Sequence, residues 1–199
     1  MITIKSNEAN RLRIEGSIER IKNNCSNETR EKIESVNLII ADETTALEIY
    51  NDLNGIFAKT YAVGFGGIKG KITYQDNSAH LVVLNIANID RFQLDQNEFD
   101  GVFSHELGHI FNENPVREVP SVMNGNNMTE IKDARNNLLK EMEFYADYFS
   151  KLVGSSSGLL SSMQKYIASE NCLNRELFLE RIEMLKGDAI LLGTIKATQ

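Results

Sequence analysis

Tryptophan is absent from this 199-residue chain, and proline, cysteine and histidine occur only two, two and three times. So few prolines argue against a long extended linker or a disordered tail. Cys25 and Cys172 lie far apart and belong to no Cys-x-x-Cys pattern, so one disulfide and two reduced thiols both stay open. No apolar run reaches the length that spans a bilayer, and the amino-terminal "MITIKSNEANRLRIEG" lacks the apolar core of a signal peptide. The expectation is a soluble, cytoplasmic protein. Positive charge is also short: 21 Lys and Arg against 28 Asp and Glu leave a formal net charge of −7. That disfavours nucleic acid as a main partner, because phosphate binding needs a basic face. The basic cluster in "RLRIEGSIERIKNN" is interleaved with acids and reads as a solvated helix face.

What is present is ordinary for a globular protein, with 42% hydrophobic and 25% charged residues, enough to bury a core in one domain. Residues 2–24 are ambiguous: "ITIK" and "RLRI" alternate like strands, whereas Ile14, Ile18 and Ile21 recur at helical spacing. "VNLIIAD" (36–42) reads as a buried strand, and "TTALEIYNDLNGIF" follows as a helix. "KTYAVGFGGIKGKITYQ" suggests two strands around a glycine-rich turn. It lacks the G-x-x-x-x-G-K-[ST] spacing of a phosphate loop. "AHLVVLNIANI" supplies a further strand, from residue 80 to 86 or slightly beyond.

Two helices are strongly signalled. "LDQNEFDGVFSHELGHIFNEN" begins with Asp95 as N-cap and Glu98 as its capping-box partner, and ends at Asn112 to Pro115. "TEIKDARNNLLKEMEFYADYFSKLVG" keeps a near-3.6 period through Ile131, Leu138, Met142, Tyr145, Phe149 and Leu152, with Gly154 at the C-cap. "SSSG" then reads as a hinge, and two shorter helices (159–168 and 175–186) close the chain.

The first of these helices carries His105 and His109, four residues apart and therefore on one face, able to aim two ring nitrogens at one ion. Glu106 beside them is too offset for a good ligand but placed to act as general base. This is the division of labour in H-E-x-x-H metalloproteases. The bland alternative is two histidines satisfied on a half-buried helix face. A catalytic zinc needs a third protein ligand and an open position. The metzincin pattern is excluded, because Asn112 and Pro115 stand where its glycine and third histidine belong. The third ligand is then a downstream carboxylate, from among Glu113, Glu118, Glu130, Glu141 and Glu143. Glu113 is too close in sequence to fold back. Glu143 stands out because Asp147, four residues on, shares its helix face and can accept the free N–H of a ligand histidine.

H-E-L-G-H at 105–109 followed by E-F-Y-A-D at 143–147 resembles the gluzincin metallopeptidases whose second helix carries Glu-x-x-Ala-Asp. That branch includes the membrane-embedded CAAX-prenyl proteases and small soluble minigluzincins; the chain is also similar to ImmA/IrrE-type peptidases. The likeness covers residues 36–152. It implies one Zn2+ per chain held by His105, His109 and Glu143, Glu106 as general base, and Asp147 orienting a ligand histidine. Ala146 would be the small residue that lets the two helices approach. The implied fold is α+β and zincin-like: a small mixed sheet packed on the active-site helix, then a largely helical C-terminal half. Residues 1–199 are read as one domain, with 1–115 as its α/β part and 116–199 as the helical part carrying the third zinc ligand. The family fold also implies an edge strand beside the active-site helix on which a peptide can add, and "AHLVVLNIAN" is the candidate because it precedes that helix. His80 is left outside the site as a surface strand residue. For the oxyanion, Tyr145, Tyr148, Tyr166 and Arg181 are all conceivable donors.

The expected function is zinc-dependent peptide-bond hydrolysis, as an endopeptidase, on a peptide or protein substrate. The alternatives are a non-catalytic metal-binding or regulatory domain on the same scaffold, and a peptidase whose cleft is covered by the region after Gly154.

Overall fold

The computed structural model describes residues 2–42, 57–62, 80–111, 128–170 and 172–187. The helix expected from residue 44, the turn at 64–70 and the loop at 112–127 lie outside these residues, as do Glu113 and Glu118.

The amino-terminal ambiguity resolves into both readings in succession. Strand β1 (Ile2–Lys5) is followed by helix α1 (Glu8–Asn24), capped by the Asn7 side chain accepting from the Asn10 N–H, and Ile14, Ile18 and Ile21 face the core. Helix α2 (Asn27–Ser35), capped by Ser26, leads to strand β2 (Leu38–Asp42). Strand β3 (Ala58–Ala62) and strand β4 (His80–Leu84) complete a mixed sheet in the order β1-β2-β4-β3. β1 and β4 both run parallel to β2, with Leu38 opposite Ile2 and His80, while β3 is antiparallel to β4. β2 and β4 are central and nearly continuous apolar runs, as strands covered on both faces must be.

This order corrects the edge-strand expectation. β4 precedes the histidine-bearing helix in sequence but is paired on both sides; the edges among the described residues are β1 and β3. Proximity in sequence misled because the antiparallel β3 precedes β4 yet docks outside it.

Helix α3 (Ile86–Arg91), capped by Asn85, occupies the end of the segment read as strand. Helix α4 (Gln96–Phe111) follows, and its capping box closes reciprocally: the Glu98 N–H donates to Asp95 Oδ1 and the Asp95 N–H to Glu98 Oε2, each at 2.8 Å. Phe99, Phe103 and Leu107 are buried, each contributing about 1.5–3 kcal/mol by leaving water. Helices α5 (Met128–Leu152), α6 (Ser156–Ile167) and α7 (Arg175–Lys186) complete the seven helices among the described residues, an α+β fold with a small mixed sheet. No helix of the described residues is long and apolar enough to cross a membrane. Leu152, counted in the apolar stripe of α5, is half exposed, and Cys25 and Cys172 are free thiols.

Two close approaches fix α4 among its neighbours. A methyl group on Gly108 would lie 2.6 Å from Ala146 Cα, so α4 and α5 touch backbone to backbone there. On the α6 side, a methyl on Gly101 would lie 2.0 Å from the Leu159 nitrogen, and one on Gly158 would lie 1.9 Å from the Asn97 oxygen. The "SSSG" stretch is therefore not a hinge. After Gly154, whose φ of 72° suits glycine, it forms the first turn of α6 and packs on α4. Side chains reinforce both contacts: Ser104 bonds Ser150 across α4 and α5 at 2.9 Å, while Ser161 and Lys165 of α6 each donate to Glu98 at 2.6 Å.

Candidate metal centre

The α4–α5 crossing at Gly108 and Ala146 sets the relative height of two helix faces. On α4 it places His105 and His109 one turn apart; on α5 it places Glu143 and Asp147 one turn apart, opposite them. His105 Nε2 lies 3.1 Å from His109 Nε2 and 3.4 Å from Glu143 Oε2, and His109 Nε2 lies 3.5 Å from Glu143 Oε1. An ion with tetrahedral bonds of about 2.0–2.1 Å needs its ligands about 3.3–3.4 Å apart. The three side chains come close to such a triangle, its two edges to Glu143 running to the two carboxylate oxygens and one ligand atom from each residue lying within 4.8 Å of the others. Two imidazoles with one carboxylate fit a divalent cation. Of the other candidate carboxylates on α5, Glu141 points to solvent.

Asp147 Oδ1 accepts from His105 Nδ1 at 2.8 Å. That bond keeps a proton on Nδ1, so that Nε2 is the nitrogen that faces His109 and Glu143 and the one that offers a lone pair to an ion once its own proton is lost. Ala146, fully buried, lies at the helix crossing.

One functional side chain stands out more than the sequence indicated. Arg181, on α7 and 4% exposed, donates through Nε to Asp147 Oδ2 and through Nη2 to Asp147 Oδ1, both at 2.7 Å. Its Nη1 reaches Glu143 Oε2, also at 2.7 Å. Nη2 is nearly equidistant from the two ring nitrogens of His105, 3.2 and 3.4 Å, which puts it over the ring rather than along either lone pair. In the sequence Arg181 was one oxyanion donor among four; its fixed partners give it a different place. Of the other three, Tyr166 lines the pocket and accepts from the Leu173 N–H, whereas Tyr145 and Tyr148 are not among the pocket's lining.

The charges set the protonation of the metal-free site. For His105, burial and the Arg181 charge oppose protonation, but the bonds to Asp147 and Glu143 and the Asp147 charge outweigh them and raise it to about 9. Burial, then the charge on His105, lowers His109. Burial alone would raise the Glu143 and Asp147 carboxyls; instead His105 and Arg181 hold both well below the usual carboxylate range. A cation binding through His105 Nε2 must displace a proton. Affinity is therefore expected to climb about tenfold per pH unit and to level off as pH passes about 9. Competition against a chromogenic chelator across that range checks it; a flat profile would mean that His105 carries no proton to lose. The same raised value stabilises the metal-free fold fully below the ordinary histidine value of 6.5, and that contribution is lost as pH rises through about 9.

The triangle opens into a cavity of about 560 Å³. Glu106, 5% exposed, lines it next to both histidines. Leu139 and Met142 of α5, Leu159 and Met163 of α6, and Leu177 and Phe178 of α7 make its walls mainly apolar. Phe57, Ala58 and Lys59 bring the start of edge strand β3 to its rim. Below, Phe57 packs edge-on against Phe92 and Tyr166, with ring centroids 5.2 and 5.8 Å apart. His80, set aside from the sequence as a surface residue, also lines this cavity, and burial lowers its pKa. Helices α6 and α7, considered from the sequence as a cover over the cleft, supply its wall.

No protein-family model matches the chain, and no curated protein or solved structure matches it either.

Proposed function

We propose that the chain is a zinc metallopeptidase, an endopeptidase on a zincin-like scaffold. The observation that carries this reading is the 3.1–3.5 Å triangle of His105, His109 and Glu143 with Glu106 lining the same cavity. Three protein ligands facing a cavity suit a catalytic zinc, whereas a structural zinc is closed by four. When bound, the zinc supplies Lewis acidity toward a carbonyl oxygen and makes water a stronger acid.

The chain's own groups do the rest. Glu106 takes the proton of the attacking water and delivers it to the departing amine, the work of a general base that becomes a general acid. Asp147 keeps the Nδ1 proton of His105 in place, so that the ring cannot present the wrong nitrogen. A peptide laid along β3, an edge among the described residues, gains main-chain hydrogen bonds as an added strand, and the apolar walls receive one of its side chains. A non-catalytic metal-binding domain would have no use for a glutamate at position 106.

A peptide library incubated with zinc-loaded protein tests the reading. Peptides with Leu, Phe or Met next to the scissile bond should be cut about tenfold or more faster than those with Asp or Glu there. Protein that holds zinc and cuts no member of the library would instead be the binding domain.

A further inference from the structure

We propose that Arg181 is a positioning residue of the metal centre: it occupies one oxygen of Glu143, so that Glu143 offers an ion a single oxygen and the remaining coordination position stays open to substrate. The inference rests on the metal site proposed above and concerns a residue outside both of its motifs.

The geometry is specific. A guanidinium has donors fixed in one plane, and here Nε and Nη2 grip both oxygens of Asp147 while Nη1 reaches across to Glu143 Oε2. One rigid group thereby sets two carboxylates from successive turns of α5. Oε2, which lies 3.4 Å from His105 Nε2, is held by Arg181 at 2.7 Å, whereas Oε1, 3.5 Å from His109 Nε2, is the oxygen that the guanidinium leaves to an ion. A glutamate without that partner is free to chelate an ion through both oxygens and so close the position that substrate needs. Lysine, a point donor on a flexible stem, cannot hold Asp147 in two places and Glu143 in a third.

An ion pair that merely anchored α7 would make a different prediction, because its loss would lower stability and leave metal coordination unchanged. Cobalt(II) separates the two, since its d–d bands weaken as coordination number rises. Full-length wild type, Arg181→Met and Arg181→Lys are each loaded with cobalt, with bound metal counted per chain and thermal melts recorded alongside. Wild type should bind one cobalt with strong four-coordinate bands. Both variants should still bind cobalt, but with bands several-fold weaker, as Glu143 turns its second oxygen to the metal. Variants that melt lower yet keep the wild-type spectrum would overturn the proposal and leave Arg181 as an anchor. Should neither variant fold, X-ray absorption on zinc-loaded wild type decides: a four-coordinate ion supports the proposal, and a five-coordinate ion with both Glu143 oxygens at bonding distance overturns it. Wild type that binds no cobalt or zinc would bring down the metal reading as well, an outcome distinct from a bound ion with an unaltered variant spectrum.

Discussion

Glu106→Gln is expected to keep its full complement of zinc and lose about 100- to 10,000-fold in turnover, the usual range for a general base. Glutamine matches glutamate in shape, so packing of this buried residue is preserved. What it lacks is a site that accepts a proton. The measurement pairs elemental analysis with peptide cleavage on the same sample. Retained zinc with undiminished turnover would remove Glu106 from the mechanism and force the search for a base onto His80 or another residue lining the cavity. Loss of zinc together with turnover would indicate that Glu106 supports the metal rather than the reaction.

His109→Ala and Glu143→Ala are expected to empty the site, from about one zinc per chain to none. Outer partners of metal ligands are worth about 10–100-fold in affinity, and removal of a ligand itself should exceed that. Each substitution deletes one corner of the triangle and leaves two donors, too few for a stable tetrahedral site. Elemental analysis of purified protein after reconstitution reads the outcome. Zinc lost in His109→Ala but kept in Glu143→Ala would show that another carboxylate is the third ligand. Zinc kept in both would dissolve the site altogether.

Much of this candidate site is legible in the sequence because its parts are local. The spacing of His105 and His109, of Glu143 and Asp147, and the box between Asp95 and Glu98 are each set within one helix, where periodicity converts directly into geometry. The opposition of those two helix faces does not follow from spacing; the need for a third ligand and a carboxylate partner suggests it, a family likeness implies it, and in the structure it depends on Gly108 meeting Ala146. Arg181 was harder to place. An arginine on an amphipathic helix normally faces water, and its partners lie 34 and 38 positions upstream, beyond the reach of any local pattern. The edge strand failed for a related reason: sheet order is a tertiary property, and β4 enters between β2 and β3 regardless of which strand precedes the helix. Helices α2 and α3 went unread because nine and six residues are too short for a periodic stripe to show.

The glycine contacts on two sides of α4 bear on how a metal would be received. A helix whose backbone rests against α5 at Gly108 and against α6 at Gly101 has no slack for rotation about its axis. Both imidazoles are therefore ordered when the chain folds, and the entropy of holding them is charged to folding rather than to association. Uptake of an ion should leave the backbone of α4 where it is.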